Sequence, residues 1–128
     1  MERVSSGSPY EPMIGFSRAT RVGNQIFVAG TGPIGVDGKT HGVGDPAEQA
    51  RRVFTIIIKA IEDLGGSAEN VVRTRTFLTR AEDWKAVGEV HGEFFRHVRP
   101  ASTMVVVKEL LDPDWFVEIE ADAVIPEG

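Results

Sequence analysis

The chain has no cysteine among its 128 residues. That absence excludes disulfides, thiol nucleophiles and thiolate metal sites, and it suits a reducing compartment, so a cytoplasmic location is expected. Histidine is scarce, and His41, His91 and His97 show no ligand spacing; neither a metal nor a cofactor is expected. Basic residues are outnumbered, with 14 Lys and Arg against 19 Asp and Glu and a net charge of −5. Nucleic-acid binding needs a basic footprint, so no nucleic-acid partner is expected. No apolar run approaches the ~18 residues of a membrane span. The opening "MERVSSGSPYEP" lacks the apolar stretch of a signal peptide. Membrane attachment is therefore not expected, and residues 1–13 read as a loose lead-in to a single domain.

What remains is ordinary globular material, 41% apolar and 26% charged. "ATRVGNQIFVAG" reads as two short strands around a Gly23-Asn24 turn. Asp45 as N-cap, Pro46 at the first helical position and Glu48 in a capping box announce a helix. Its apolar stripe runs through Ala50, Val53, Phe54, Ile57, Ile58, Ile61 and Leu64, and Gly65-Gly66 ends it. "NVVRTRTFLT" is a strand with Val72, Thr74, Thr76 and Leu78 on one face and Arg73, Arg75 and Phe77 on the other. A second helix spans about Ala81 to Val98, with Trp84, Val87, His91, Phe94, Phe95 and Val98 as its stripe, and Pro100 stops it. "ASTMVVVKEL" and "WFVEIEADAV" supply the last strands. The order ββαβαββ predicts a two-layer α+β domain, a mixed or antiparallel sheet covered on one face by two helices. The uncovered face, expected to carry Phe77, Met104 and Phe116 among charges, then needs water or another subunit, which points to an oligomer.

In "WFVEIEADAV", Glu118, Glu120 and Asp122 share one side of the strand, each roughly 7 Å from the next. Arg73 and Arg75 can form a charge ladder with them, at roughly 0.2–1 kcal/mol a pair. Glu118, beside Phe116, stands either in that ladder or in a pocket, where a partly buried carboxyl has a raised pKa and can move protons. "GPIGVDGKT" is not a phosphate loop: five residues follow Gly32 where the P-loop pattern has four, and no helix start comes next. His91 reads as a packed core or interface residue. Ser102 has no His-Asp pattern near it in sequence, so a serine nucleophile is not indicated.

Four stretches, "VGNQIFVAGTGPIG", "DPAEQARRVFTIIIKAIEDLGG", "VVRTRTFLT" and "RPAST…VEIEADAV", together resemble the Rid family, also called YjgF or L-PSP, from about Ile14 to Val124. The resemblance implies a chorismate-mutase-like subunit, a homotrimer and a small-molecule pocket at each subunit interface. Known members hydrolyse reactive enamines and imines such as 2-aminoacrylate to keto acids and ammonia, and use an arginine after "PA" to pair with the substrate carboxylate. Here Ser102 stands at that position, Ser17 at a family tyrosine, Ala29 at a serine and Gly88 at an asparagine. Gly30, the Phe94-Phe95 pair and the glutamate at Glu118 match, and the family uses that glutamate to hold or activate water. The resemblance thus implies a pocket around Ser17, Ala29, Gly30, Thr31, Gly88, Ser102 and Met104, with Glu118 as catalytic residue, in a branch lacking the substrate-binding arginine. A hydrolase or deaminase of a small enamine or imine is expected, though not an efficient 2-aminoacrylate deaminase; the substrate would lack a carboxylate, or Arg18 or Arg75 would hold it from a new direction. The alternative is a small-molecule binding trimer without catalysis. Endoribonuclease activity, a label many members carry, is a remote third: the acidic balance and the absence of a histidine pair or basic stripe argue against it.

Overall fold

The computed structural model describes residues 1–127. Strands β1 (Glu2–Val4), β2 (Ala19–Val22), β3 (Gln25–Thr31), β4 (Val71–Leu78), β5 (Ala101–Val106) and β6 (Val117–Val124) form one mixed sheet in the order β1-β2-β3-β6-β4-β5. Among the described residues only the β4–β5 pair is parallel. Helices α2 (Pro46–Asp63) and α3 (Trp84–Phe95) cover one face, as expected of a two-layer α+β domain. The other face is left open.

Local chemistry explains the element ends. The β2–β3 hairpin closes with two residues, and Gly23 at φ +59° takes the turn position that favours glycine. Asp45 accepts a hydrogen bond from the Glu48 N–H at 3.1 Å. The reciprocal half of the box is absent, because the Glu48 carboxylate pairs with Arg51 instead. At the other end the Gly65 N–H reaches the Glu62 carbonyl and the Gly66 N–H the Ile61 carbonyl, both at 2.9 Å, with Gly65 at φ +92°. This is a Schellman stop.

Several expectations need correction. The opening segment is not loose: β1 pairs with β2, and a short helix α1 (Tyr10–Ile14) follows. A register shift between Val71 and Arg73 turns Val71 into the core and leaves Val72 exposed, so the strict alternation read for β4 fails at its start. The second helix begins as a 3₁₀ turn over Ala81–Asp83, exposes Trp84, and ends at Phe95 short of Val98. Met104 is not on the open face. It lies in register with buried Thr76 and packs against the core under the helices.

The core is formed by Val53, Phe54, Ile57 and Ile61 of α2, Val87, Val90 and Phe95 of α3, and the inward residues of the sheet. In β6 these are Val117, Ile119, Ala121 and Ala123, so Glu118, Glu120 and Asp122 necessarily point to the open face. Among the described residues no helix is long and apolar enough to cross a membrane.

Candidate functional site

Pairing across β4 and β6 separates the three carboxylates. Arg75 is opposite Glu120, and its Nη1 contacts Glu120 at 3.2 Å and Asp122 at 3.4 Å. Glu120 and Asp122 thus belong to a surface ladder. Glu118 is opposite Phe77, not an arginine. It lines a cavity of about 280 Å³ with Tyr10, Phe16, Arg18, Gly30 and Trp115 among its walls. A second cleft along the 109–113 loop shares Leu111 and Glu118 with it.

Two glycines make room for this site. A methyl group on Gly30 would come within 2.6 Å of Glu118 Oε2, and one on Gly32 within 2.5 Å of the Trp115 ring. Gly30 and Ala29 fall where the β3–β6 register shifts between Val28 and Thr31, two residues of β3 facing Glu120 alone. Such a bulge re-aims the strand beside the carboxyl. Trp115 is fixed by its indole N–H on the Thr40 hydroxyl at 3.2 Å and by an edge-on contact with Tyr10. Gln49, fully buried on α2, holds the loop before β6. Its amide donates to the Asp114 and Gly42 carbonyls and accepts from the Phe116 N–H.

Arg18 is the buried cation of the site. Its Nη1 donates to the Gly30 carbonyl at 2.7 Å and to Thr31 Oγ1 at 3.0 Å, and its Nε donates to Ser6 Oγ at 3.1 Å, with Glu11 at 3.6 Å. These contacts tie the opening segment to the bulge. Burial raises the Glu118 pKa; Arg18 pulls it back, and Glu120 pushes it further up. The result is a half-buried carboxyl that keeps its proton to a higher pH than a surface glutamate.

The residues named from the sequence fall into separate places. Ala29, Gly30 and Glu118 meet in the cavity. Ser17 lines a different cleft, with Phe27 and Arg75, and its neighbour Phe16 takes the cavity wall. The Thr31 side chain is buried and engaged by Arg18 and the Ala29 carbonyl. Gly88 is on α3, while Ser102 and Met104 are on edge strand β5, in register with Thr74 and Thr76 of the helix-covered face. Sequence reading missed Tyr10, Phe16, Leu111 and Trp115 as walls, and named Arg18 only as a substitute for the family arginine. Tyr10 and Trp115 follow turn-forming stretches, residues 5–9 and 112–114, which is the one signal they left.

Fold and site define a chorismate-mutase-like, YjgF-like α+β domain that carries one half-sheltered carboxyl at a cleft on its open face. The chain belongs to the L-PSP (YjgF/Rid) family: the family model described as Endoribonuclease L-PSP matches residues 7–125. An uncharacterized protein of Streptomyces coelicolor is 41% identical over 123 residues, covering 96% of this chain and 91% of that one. The 3-aminoacrylate deaminase RutC of Acinetobacter baylyi is 33% identical over 120 residues, 94% of each chain. A crystal structure from Mycobacterium tuberculosis, described as a member of the YjgF/YER057c/UK114 family, superposes with a TM-score of 0.88. It is 41% identical to this chain, with 97% of this chain and 98% of that one covered.

Proposed function

We propose that the protein is a homotrimeric hydrolase or deaminase of small enamines or imines, with Glu118 as its proton-transferring carboxyl. The observation that carries this reading is the Glu118 environment: outside the charge ladder, half-buried, held in a cavity by Gly30 and raised in pKa. A protonated carboxyl of this kind delivers a proton to an enamine carbon or imine nitrogen. The carboxylate left behind takes a proton from the water that adds to the C=N carbon; it returns that proton to the amino nitrogen as the C–N bond breaks and accepts the hydroxyl proton as the C=O bond forms, so ammonia departs. The relationship to RutC, a 3-aminoacrylate deaminase, supports the enamine class.

The trimer is supported by what one chain leaves unfinished. Gly88, Ser102 and Met104 do not line the Glu118 cavity, β5 is the sheet's edge strand, and Phe27, Val105 and Val106 are exposed. A neighbouring copy that brings β5 against the cavity would close it. Ser102 cannot make the two-pronged carboxylate pair of an arginine. Losing such a contact costs several kcal/mol, about a thousandfold in binding, so 2-aminoacrylate should be a poor substrate. Arg75 is occupied by Glu120 and Asp122, whereas Arg18 stands in the cavity wall with Nη2 outside its bonds to Ser6, Gly30 and Thr31. A substrate carboxylate that enters from this other direction would meet Arg18.

Ammonia release from a panel of enamines and imines tests the reading. Glu118→Gln should lower the rate about 10²–10⁴-fold; an unchanged rate sinks it. The non-catalytic alternative draws on the apolar walls Ile14, Phe16, Leu111 and Trp115. It would show as ligand-dependent gains in melting temperature with no ammonia from any substrate.

A further inference from the structure

Ser102, Thr74 and His91 form a hydrogen-bonded row running from the sheet edge to α3. Thr74 Oγ1 is 2.9 Å from Ser102 Oγ and 2.8 Å from His91 Nε2. The row follows from register: Thr74 of β4 pairs with Ser102 of β5, which puts both hydroxyls on the helix side. Thr74 is fully buried and Ser102 is exposed. His91 packs against Phe54 and Phe95, with ring centroids 5.6 and 4.9 Å away. It also lines a surface cleft with Gly92, Phe95, Arg96, Arg99 and Pro100. The imidazole therefore stands between that cleft and the Thr74 hydroxyl. Two residues along, buried Thr76 pairs with apolar Met104 and its Oγ1 has no partner, so the row exists where β5 supplies a serine.

A threonine hydroxyl has one proton, so between two partners it donates to one and accepts from the other. The row is directional, and reversing it moves a proton from one end to the other. Burial lowers the His91 pKa, so the resting imidazole is neutral and an imidazolium formed there gives up its proton readily. Arg96 and Arg99 are the charged groups in its cleft. From α2 it faces Phe54 and from β4 Thr74. Glu93 of α3 is tied to Arg51, and Glu69 on the 3₁₀ turn Ala68–Asn70 beside α3 makes no ion pair with His91 among the described residues.

We propose that His91, acting through Thr74, is the proton acceptor behind Ser102, which makes Ser102 a proton-handling group of the pocket. The proposal deepens the reading above, since it rests on β5 forming the pocket's second wall. In the step, Ser102 Oγ takes a proton from a water, hydroxyl or protonated nitrogen of the ligand. The Ser102 proton passes to Thr74 Oγ1, the Thr74 proton passes to Nε2, and the imidazolium releases its Nδ1 proton to water in the cleft. One proton leaves the ligand and one reaches solvent. The ligand thus presents a hydrogen-bond donor to Ser102.

The natural chain has no cysteine, so Ser102→Cys introduces a single thiol whose alkylation reads the row without any substrate. A base linked to a thiol raises its thiolate fraction. At neutral pH iodoacetamide should alkylate the Ser102→Cys protein at least about threefold faster than the same protein carrying Thr74→Val or His91→Gln. Thr74→Ser, which keeps the hydroxyl, should restore the fast rate. Equal rates in all four proteins overturn the proposal, as does slowing by Thr74→Val alone, which would make Thr74 merely structural. If Thr74→Val does not fold, His91→Gln carries the comparison. Because the readout needs no turnover, a failed row with intact ammonia release leaves the Glu118 reading standing. An intact row without ammonia release leaves the row standing.

Discussion

Gln49→Leu removes the device by which α2 holds the loop leading into β6. The side chain is fully buried and bonds three backbone groups: the Gly42 carbonyl at 3.2 Å, the Asp114 carbonyl at 2.8 Å and the Phe116 N–H at 2.8 Å. The Gly42 carbonyl keeps a second partner, the Asp45 N–H. Among the described residues the Asp114 carbonyl and Phe116 N–H do not, and each part-buried group left unmet costs about 1–3 kcal/mol. Leucine has a similar volume and offsets roughly 1–2 kcal/mol through its added apolar burial. The net loss should be about 2.5 kcal/mol at the middle of these ranges, a large share of the roughly 5–15 kcal/mol that stabilises a domain. Urea unfolding followed by Trp fluorescence measures it, as a midpoint lowered by about 1 M or more. Trp115 and Leu111 should also lose their fixed position at the cavity, weakening any ligand-induced gain in melting temperature. A stability change below about 0.5 kcal/mol would refute the claim that this side chain anchors the loop.

Gly30→Ala puts a methyl group 2.6 Å from Glu118 Oε2, so the carboxyl must move. Ammonia release should fall at least about tenfold while melting temperature changes little, and retention of full activity would show that the carboxyl position is not critical. Burial raises the Glu118 carboxyl above the ordinary glutamate value of 4.5, so the folded state holds a proton that the unfolded chain has already released. Its contribution to stability is present below that value and is lost as pH rises through the higher folded one. Glu118→Gln should therefore gain stability relative to the natural protein as pH rises above about 4.5, and a pH-independent difference in urea midpoints would contradict the assignment. Asp45→Ala removes the cap on the Glu48 N–H and should cost about 1 kcal/mol, seen as a lower melting temperature with unchanged ammonia release.

The helices were legible because their signals are local. Asp45, Pro46 and Gly65-Gly66 act within a few residues of chain, and the stripe from Ala50 to Leu64 states which face is buried. Where a local pattern met a distant partner, reading by period failed. Val72 obeyed the alternation in sequence but lost its place to Val71, because the β4–β6 register shifts there. Met104 looked outward until its pairing with Thr76 set it under the helices. The opening segment looked loose because the group that organises it, Arg18, belongs to a later stretch and works through Ser6, Glu11, Gly30 and Thr31.

The sequence by itself determined that Glu118, Glu120 and Asp122 share one face of a strand, since a side-chain period of two is a property of any extended chain. It also determined the ends and buried face of α2. Only the tertiary structure decided which carboxylate is free. Arg75 is opposite Glu120 and Phe77 opposite Glu118 because β4 lies beside β6 in one register, and that register is set by burial of the residues between them, not by either strand alone. The same long-range pairing brings the β3 bulge and Arg18 to Glu118, and Thr74 between Ser102 and His91. Alternation places a side chain on a face; only strand pairing and packing choose its neighbour.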